Sequence, residues 1–130
     1  TASGEYGPKW HQAGLKAKRH KCYEDFSAVG LHLIETGICT SDTLAARGGS
    51  NGGLLMGMMY CSRPDLFGAI HCAVPLLDMK RYHTLLAGAS WMAEYGDPDT
   101  EDWDNFLHKY SPLLPLLITF PPLQSVFLPH

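Results

Sequence analysis

The stretch Gly48-Gly49-Ser50-Asn51-Gly52-Gly53 has the pattern G-x-S-x-G, with a glycine two residues before and two residues after the serine. This pattern is typical of a nucleophile elbow, a sharp strand-to-helix turn that presents a serine hydroxyl to a substrate. A side chain at Gly48 or Gly52 is predicted to collide where the strand and the helix pack together. Gly53 lies in the first helical turn, where glycine costs about 1 kcal/mol relative to alanine. The alternative is a glycine-rich turn that happens to contain a serine.

The residues on both sides of this stretch favour the elbow. Residues 43–47 are predicted to form a short strand that leads into it. Residues 51–62 read as a helix, and Arg63-Pro64-Asp65 ends it because proline restricts the residue before it. Residues 69–74 are mostly apolar and of strand length, as expected of a parallel strand buried on both faces. The predicted order is strand, elbow, helix and strand.

Further helices are predicted on both sides of this unit. Residues 15–35 carry apolar side chains at steps of four, three and four, namely Cys22, Phe26, Val29 and Leu33. Gly37 is a plausible end for that helix. Residues 80–92 and 102–110 are predicted to be helical, with a turn at 96–99, and residues 1–14 to be an ordered loop. From Ser111 onward the chain is rich in proline and leucine, and its apolar run is too short to span a membrane.

Composition excludes several classes of function. The 130 residues include 10 Lys and Arg and 13 Asp and Glu, a net charge of -3, so nothing electrostatic recruits nucleic acid or an anionic membrane. The basic residues 16–21 are interpreted as one solvated helix face. The four cysteines lack C-x-x-C spacing, which favours reduced thiols and a cytoplasmic protein. The pairs His20 with Cys22 and His71 with Cys72 do not have the spacing of a zinc site.

Several further motifs occur in a fixed order along the chain. They are Gly4-Glu5-Tyr6-Gly7-Pro8, Trp10-His11, Tyr23-Glu24-Asp25-Phe26, the elbow up to Leu55, Arg63-Pro64-Asp65-Leu66-Phe67-Gly68, Val74-Pro75-Leu76-Leu77-Asp78-Met79, Trp91, Glu94-Tyr95-Gly96-Asp97 and Tyr110-Ser111-Pro112. With these motifs the chain resembles the prolyl oligopeptidases, serine peptidases with an α/β-hydrolase domain capped by a β-propeller. The resemblance covers nearly all of residues 4–112. It implies a partial α/β-hydrolase fold with a short parallel sheet flanked by helices. We assign residues 1–112 to this catalytic domain and residues 113–130 to a divergent tail rich in proline and leucine.

The resemblance assigns roles to five residues. It makes Ser50 the acylating nucleophile and gives the backbone N–H of Asn51 a place in the oxyanion hole. An N–H at a helix start has no intrahelical partner, so physical reasoning agrees with this second role. Trp91 corresponds to the tryptophan that stacks on the substrate proline, and Tyr95 and Leu76 to residues lining the same pocket. Without the resemblance, Trp91 reads as a core aromatic residue.

The serine also needs a base and a carboxylate that orients it. In the family both lie beyond the Tyr-Ser-Pro motif, but only 18 residues follow Pro112 and none is aspartate. We therefore expect this chain to lack the triad aspartate and histidine. Asp78 with His83, or Asp104 with His108, has the right order without an argument that it faces Ser50. His130 is no better placed.

The resemblance implies a fragment of a peptidase that hydrolyses short proline-containing peptides without a metal or an organic cofactor. The propeller and the rest of the hydrolase domain would lie elsewhere in the full-length protein, and the chain alone is expected to be inactive. One alternative is a non-catalytic product that binds a partner through its sheet edge or its tail. The other is a related acylaminoacyl peptidase or esterase.

Overall fold

The computed structural model describes residues 4–119 of the chain. Its α-helices and strands, in chain order, are α1 (Pro8–Gln12), α2 (His20–Glu35), β1 (Ala45–Gly49), α3 (Asn51–Ser62), β2 (Ala69–Ala73), α4 (Met92–Tyr95), α5 (Asp102–Asn105) and α6 (Leu113–Thr119). Short 3-10 helices lie at Lys16–Lys18, Ser41–Thr43, Tyr82–Thr84, Gly88–Trp91 and Leu107–Tyr110. In this described part, no helix has the length and apolar character needed to cross a membrane.

The two strands pair in parallel and are connected by α3, as the sequence predicts. Ala46 lies opposite Ile70, and Gly48 lies opposite Cys72. The predicted burial of the second strand on both faces is wrong, because Ala69, His71 and Cys72 are exposed. Within residues 4–119 the sheet has only two strands, so much of β2 is left uncovered. The first strand begins two residues later than predicted and continues to the elbow.

The core extends from α2, β1 and α3 into the segment after β2, where Met79, Tyr82 and Tyr95 are buried. Its most deeply buried members on α3 are Leu54, Met56 and Met59. The helix predicted at 15–35 is confirmed from His20 onward, and Cys22 and Phe26 pack against the core as predicted, but the predicted burial of Val29 is wrong. Val29 is 59% exposed, whereas Gly30 is buried. A Cβ at Gly30 would lie 3.2 Å from the Phe67 ring, so the absence of a side chain there leaves room for the ring. The spacing of apolar residues cannot predict this contact.

The helix predicted at residues 80–92 is wrong. The chain instead forms two 3-10 helices, between which Leu86 has a φ of 48°. A Cβ added at Gly88 would lie 1.7 Å from the Tyr82 carbonyl oxygen, so close backbone packing replaces a regular helix here. Residues 102–110 are helical as predicted, but the helix is split between α5 and a 3-10 turn.

Helices also lie near both ends of the described residues. The first 14 residues, predicted as a loop, contain α1, which begins with Pro8 at a position where proline is tolerated. The proline-rich tail begins with α6, and the rest of it, residues 120–130, lies outside the described residues. The division into a hydrolase segment at 1–112 and a divergent tail at 113–130 stays a prediction.

Candidate active site

Ser50 lies in the turn between β1 and α3 in a conformation that non-glycine residues rarely adopt. Its backbone has φ 54° and ψ -115°. Its N–H donates to the Ala73 carbonyl of the neighbouring strand at 3.1 Å, and its own carbonyl accepts from Leu54 N–H at 3.2 Å. The sheet and the helix therefore hold both sides of the turn, and the serine itself is exposed. This is the geometry expected of a nucleophile elbow.

Two of the four elbow glycines are required by close packing. A Cβ at Gly48 would lie 2.2 Å from the carbonyl oxygen of Gly52, and one at Gly53 would lie 2.8 Å from Pro75 Cα. These neighbours are backbone atoms, which cannot move aside as a flexible side chain can. The predicted collision at Gly52 is wrong, because nothing lies within 4 Å of a Cβ built there.

Asn51 is the first residue of the 12-residue helix α3. The first N–H groups of a helix have no intrahelical acceptor, and the helix dipole favours negative charge near them. The Asn51 N–H is therefore suited to bind the oxyanion that forms when the neighbouring serine attacks a carbonyl. The Asn51 side chain is also fixed, since its Oδ1 accepts a hydrogen bond from the Tyr95 hydroxyl at 2.7 Å and another from the Arg19 guanidinium.

Arg19 connects the elbow to the segment that follows the sheet. It is only 4% exposed, and its Nη1 forms an ion pair with Glu94 Oε1 at 2.6 Å. Its guanidinium carbon also lies 4.4 Å from the centroid of the Tyr95 ring. The interpretation of residues 16–21 as one solvated face is therefore wrong at Arg19. The sequence reasoning missed this arginine and Glu94 because only the fold brings them to Asn51.

Tyr95 has no exposed surface, and its hydroxyl is a hydrogen-bond donor at neutral pH. Burial raises the pKa of Tyr95 to about 12, although the nearby Arg19 charge opposes part of that rise. The Tyr95 carbonyl in turn accepts a hydrogen bond of 2.9 Å from the Tyr110 hydroxyl. Tyr95 is therefore a neutral phenol held at both its side chain and its backbone.

The structure brings Trp91 and Tyr95 together, and Leu76 packs against the buried cluster that includes Tyr95. The Trp91 and Tyr95 ring centroids are 6.3 Å apart with an interplanar angle of 40°, and Trp91 is 38% exposed. A flat, partly exposed indole beside a buried phenol is a surface on which a rigid apolar ring can lie. Leu76 is half-buried and lines a 270 Å³ cavity whose other walls include Leu77, Tyr82 and Leu85. The lining of that cavity does not include Trp91 or Tyr95.

The substitute acid and base pairs suggested by the sequence do not form a relay. Asp78 Oδ2 accepts from Arg81 Nε at 2.5 Å, while the His83 ring bonds to Asp99 Oδ2 at 2.9 Å. His108 Nδ1 bonds to the Trp103 carbonyl at 2.9 Å. These acidic residues thus form turns and ion pairs. His130 lies outside the described residues.

Comparison with known proteins gives consistent matches. The sequence profile of the prolyl oligopeptidase family matches residues 1–119. An uncharacterised peptidase from Sinorhizobium fredii is 51% identical over 109 residues, which are 84% of this chain and 15% of that protein. A prolyl endopeptidase from Dictyostelium discoideum is 44% identical over 110 residues, or 85% of this chain and 14% of that protein.

Comparison with solved structures identifies the same family as the sequence comparisons. The solved structure of a post-proline cleaving enzyme from Rickettsia typhi superimposes with a TM-score of 0.82 at 46% identity, covering 85% of this chain and 16% of that one. The predicted partial α/β fold is confirmed. The chain spans only 14–16% of the length of these relatives. A family profile that matches nearly all of the chain places it without ambiguity: this chain belongs to the prolyl oligopeptidase family of peptidases.

Proposed function

We propose that this chain supplies the nucleophile and the proline-binding wall of a serine peptidase that cleaves short peptides after proline. The observation that carries the proposal is the Ser50 backbone, held at φ 54° between a strand and a helix with its side chain exposed. A non-glycine residue in this conformation destabilises the fold, and such strained residues are found mainly at functional sites.

The proposed reaction begins with attack of Ser50 Oγ on the carbonyl carbon of the residue before the scissile bond. The carbonyl oxygen becomes an oxyanion, and the Asn51 N–H at the start of α3 stabilises it. Collapse of the tetrahedral intermediate expels the amine and leaves an ester on Ser50, which water then hydrolyses. A base must accept the Ser50 proton, and family resemblance assigns that step to residues of the complete enzyme outside this segment.

The preference for proline is assigned to Trp91 and Tyr95. The exposed part of the Trp91 indole gives the pyrrolidine ring a flat apolar surface, and the buried Tyr95 fixes the angle of that surface. Both partners are rigid, so little conformational entropy is lost on binding. Leu76 is proposed to contribute apolar surface from the neighbouring loop.

The 130-residue chain by itself is proposed to turn over little or no peptide. The support is that neither substitute pair is formed, because Asp78 accepts from Arg81 while His83 bonds to Asp99, and His108 Nδ1 bonds to the Trp103 carbonyl. Loss of triad members lowers hydrolysis by several orders of magnitude. Robust cleavage of a Gly-Pro reporter by the purified chain would contradict this part of the proposal. A cytoplasmic location is proposed from the cysteine pattern alone.

A hybrid enzyme provides the test of specificity. In it, residues 4–112 of this chain replace the corresponding segment of the Rickettsia typhi relative, so that the rest of the catalytic domain is present. The proposal predicts faster cleavage of Gly-Pro than of Gly-Ala, N-acetylaminoacyl or simple ester reporters, and loss of cleavage in the Ser50→Ala hybrid. Faster turnover of the acetylated or ester substrates would instead support the acylaminoacyl peptidase or esterase alternative.

A further inference from the structure

The buried cation Arg19 has a contact set that the proposed reaction does not use directly. One guanidinium nitrogen pairs with Glu94 at 2.6 Å, another donates to Asn51 Oδ1, and the group lies over the Tyr95 ring at 4.4 Å. The three partners are the residue after the nucleophile and two residues of the segment that carries the aromatic wall. Arg19 therefore links the elbow to the segment that carries the aromatic wall.

The segment that carries Trp91 has little stability of its own. It consists of the four-residue 3-10 helix Gly88–Trp91 followed directly by the four-residue helix α4. A single helical turn is unstable without tertiary contacts, because nucleation fixes several residues for few hydrogen bonds. The position of this segment relative to Ser50 therefore depends on side-chain contacts, and Arg19 makes two of them, with Glu94 and Tyr95.

Asn51 is fixed by the same group of residues. Its Oδ1 receives donors from two directions, the Arg19 guanidinium and the Tyr95 hydroxyl. Both donors require an oxygen acceptor, which determines how the amide is oriented. Arg19 suits this position because its planar guanidinium presents several donors in a fixed geometry, whereas the ammonium of lysine is a single point charge.

We propose that Arg19 is a positioning residue that sets proline selectivity by fixing the Trp91–Tyr95 wall against Asn51 and the elbow. This inference rests on the proposed function and adds a residue to it. Arg19 does not contact substrate. It determines the distance and the angle between the attacked carbonyl and the surface on which the proline ring lies.

The test compares Gly-Pro and Gly-Ala reporters in the hybrid enzyme, using the ratio of their kcat/KM values. Arg19→Met is expected to lower this ratio by about 10-fold to 100-fold, since displacement of a positioning group by about 1 Å costs up to that much. Arg19→Lys retains the positive charge beside Glu94 but loses the planar guanidinium and its several donors. It is therefore expected to lower the ratio as well. The matched control is Arg63→Met, which removes an ion pair with Asp65 at 2.8 Å on the surface.

The ratio separates positioning from a general loss of stability. Both kcat/KM values come from one preparation, so the ratio does not depend on the fraction of molecules that are folded. Unchanged ratios in both Arg19 variants, with a proline-selective parent, would overturn this inference and leave the proposed function intact. A parent hybrid with no preference for proline would overturn the proposed function and this inference with it.

Discussion

The Tyr95 hydroxyl donates a hydrogen bond of 2.7 Å to the amide oxygen of Asn51, which lies 44 residues earlier in the chain. It joins the residue beside the nucleophile to the aromatic segment. Tyr95→Phe removes this donor and leaves Arg19 as the remaining donor described at that oxygen. We expect the free energy of unfolding of the 130-residue chain to fall by about 1 kcal/mol, measured by urea denaturation.

The control for this substitution is Tyr6→Phe, because Tyr6 is 71% exposed. It is expected to change the free energy of unfolding by less than about 0.5 kcal/mol, as is usual for surface substitutions. Equal effects of the two substitutions would show that the Tyr95 hydroxyl contributes nothing at this position.

Alkaline pH is predicted to destabilise the chain through its buried tyrosines. Burial raises the pKa of Tyr95 to about 12, and also raises the pKa of Tyr23, Tyr82 and Tyr110. An unfolded tyrosine loses its proton near pH 10. Below that pH both states are protonated and the stability is intact. Between about pH 10 and 12 the unfolded state releases protons that the folded state keeps, so the free energy of unfolding falls.

For Tyr95 alone this loss amounts to about 1 kcal/mol at pH 11 relative to pH 8. Urea denaturation at the two pH values measures the total decrease in the free energy of unfolding from all the buried tyrosines. The same experiment on Tyr95→Phe should show a smaller decrease in that free energy. A free energy of unfolding that is constant from pH 8 to pH 11 would be inconsistent with four buried phenols.

The elbow glycines provide a matched pair of substitutions. Gly48→Ala places a methyl group 2.2 Å from the Gly52 carbonyl oxygen and is expected to cost about 1–3 kcal/mol through overpacking. Gly52→Ala meets nothing within 4 Å and is expected to be neutral, or to stabilise by up to about 1 kcal/mol through helix propensity. Urea denaturation of both variants tests the packing, and a larger loss for Gly52→Ala would contradict it.

Ser50 is predicted to store backbone strain. Ser50→Gly permits φ 54° without steric conflict and is expected to raise the free energy of unfolding by about 1 kcal/mol, even though glycine is more flexible in the unfolded chain. The control is Ser62→Gly at the end of α3, where the Ser62 hydroxyl donates to the Met58 carbonyl at 2.6 Å and glycine should destabilise. If Ser50→Gly destabilises as much as Ser62→Gly, the turn is not strained.

The elbow could be predicted from sequence because its evidence is local. The spacing of Gly48 and Ser50, the apolar strand after Arg63 and the helix between them lie within about 30 residues, and their order implies a βαβ unit. The role of Gly52 was mistaken because the pattern treats both flanking glycines alike. In the fold, the start of α3 packs on Gly48, Gly53 packs against Pro75, and the space beside Gly52 is open.

The burial of Arg19 could not be predicted from sequence, because the residue lies among other basic residues. Its burial depends on contact with α4, where its partner Glu94 lies 75 residues later in the chain. The irregular region at 80–92 was missed for a related reason. Its apolar residues suit a helix, but Tyr82 turns inward to donate to the Gly96 carbonyl at 2.5 Å, and Gly88 packs on the Tyr82 backbone. Long-range packing overrode local preference in both places.

The central claim is that Ser50 is the nucleophile, and covalent labelling tests it most directly. The hybrid enzyme is treated with a fluorophosphonate probe, digested and mapped by mass spectrometry, with Ser50→Ala and Ser62→Ala as the paired variants. We predict one probe adduct on the peptide that contains Ser50, retained in Ser62→Ala and lost in Ser50→Ala. An adduct that persists in Ser50→Ala, or a hybrid that hydrolyses Gly-Pro peptides without labelling at Ser50, would contradict it.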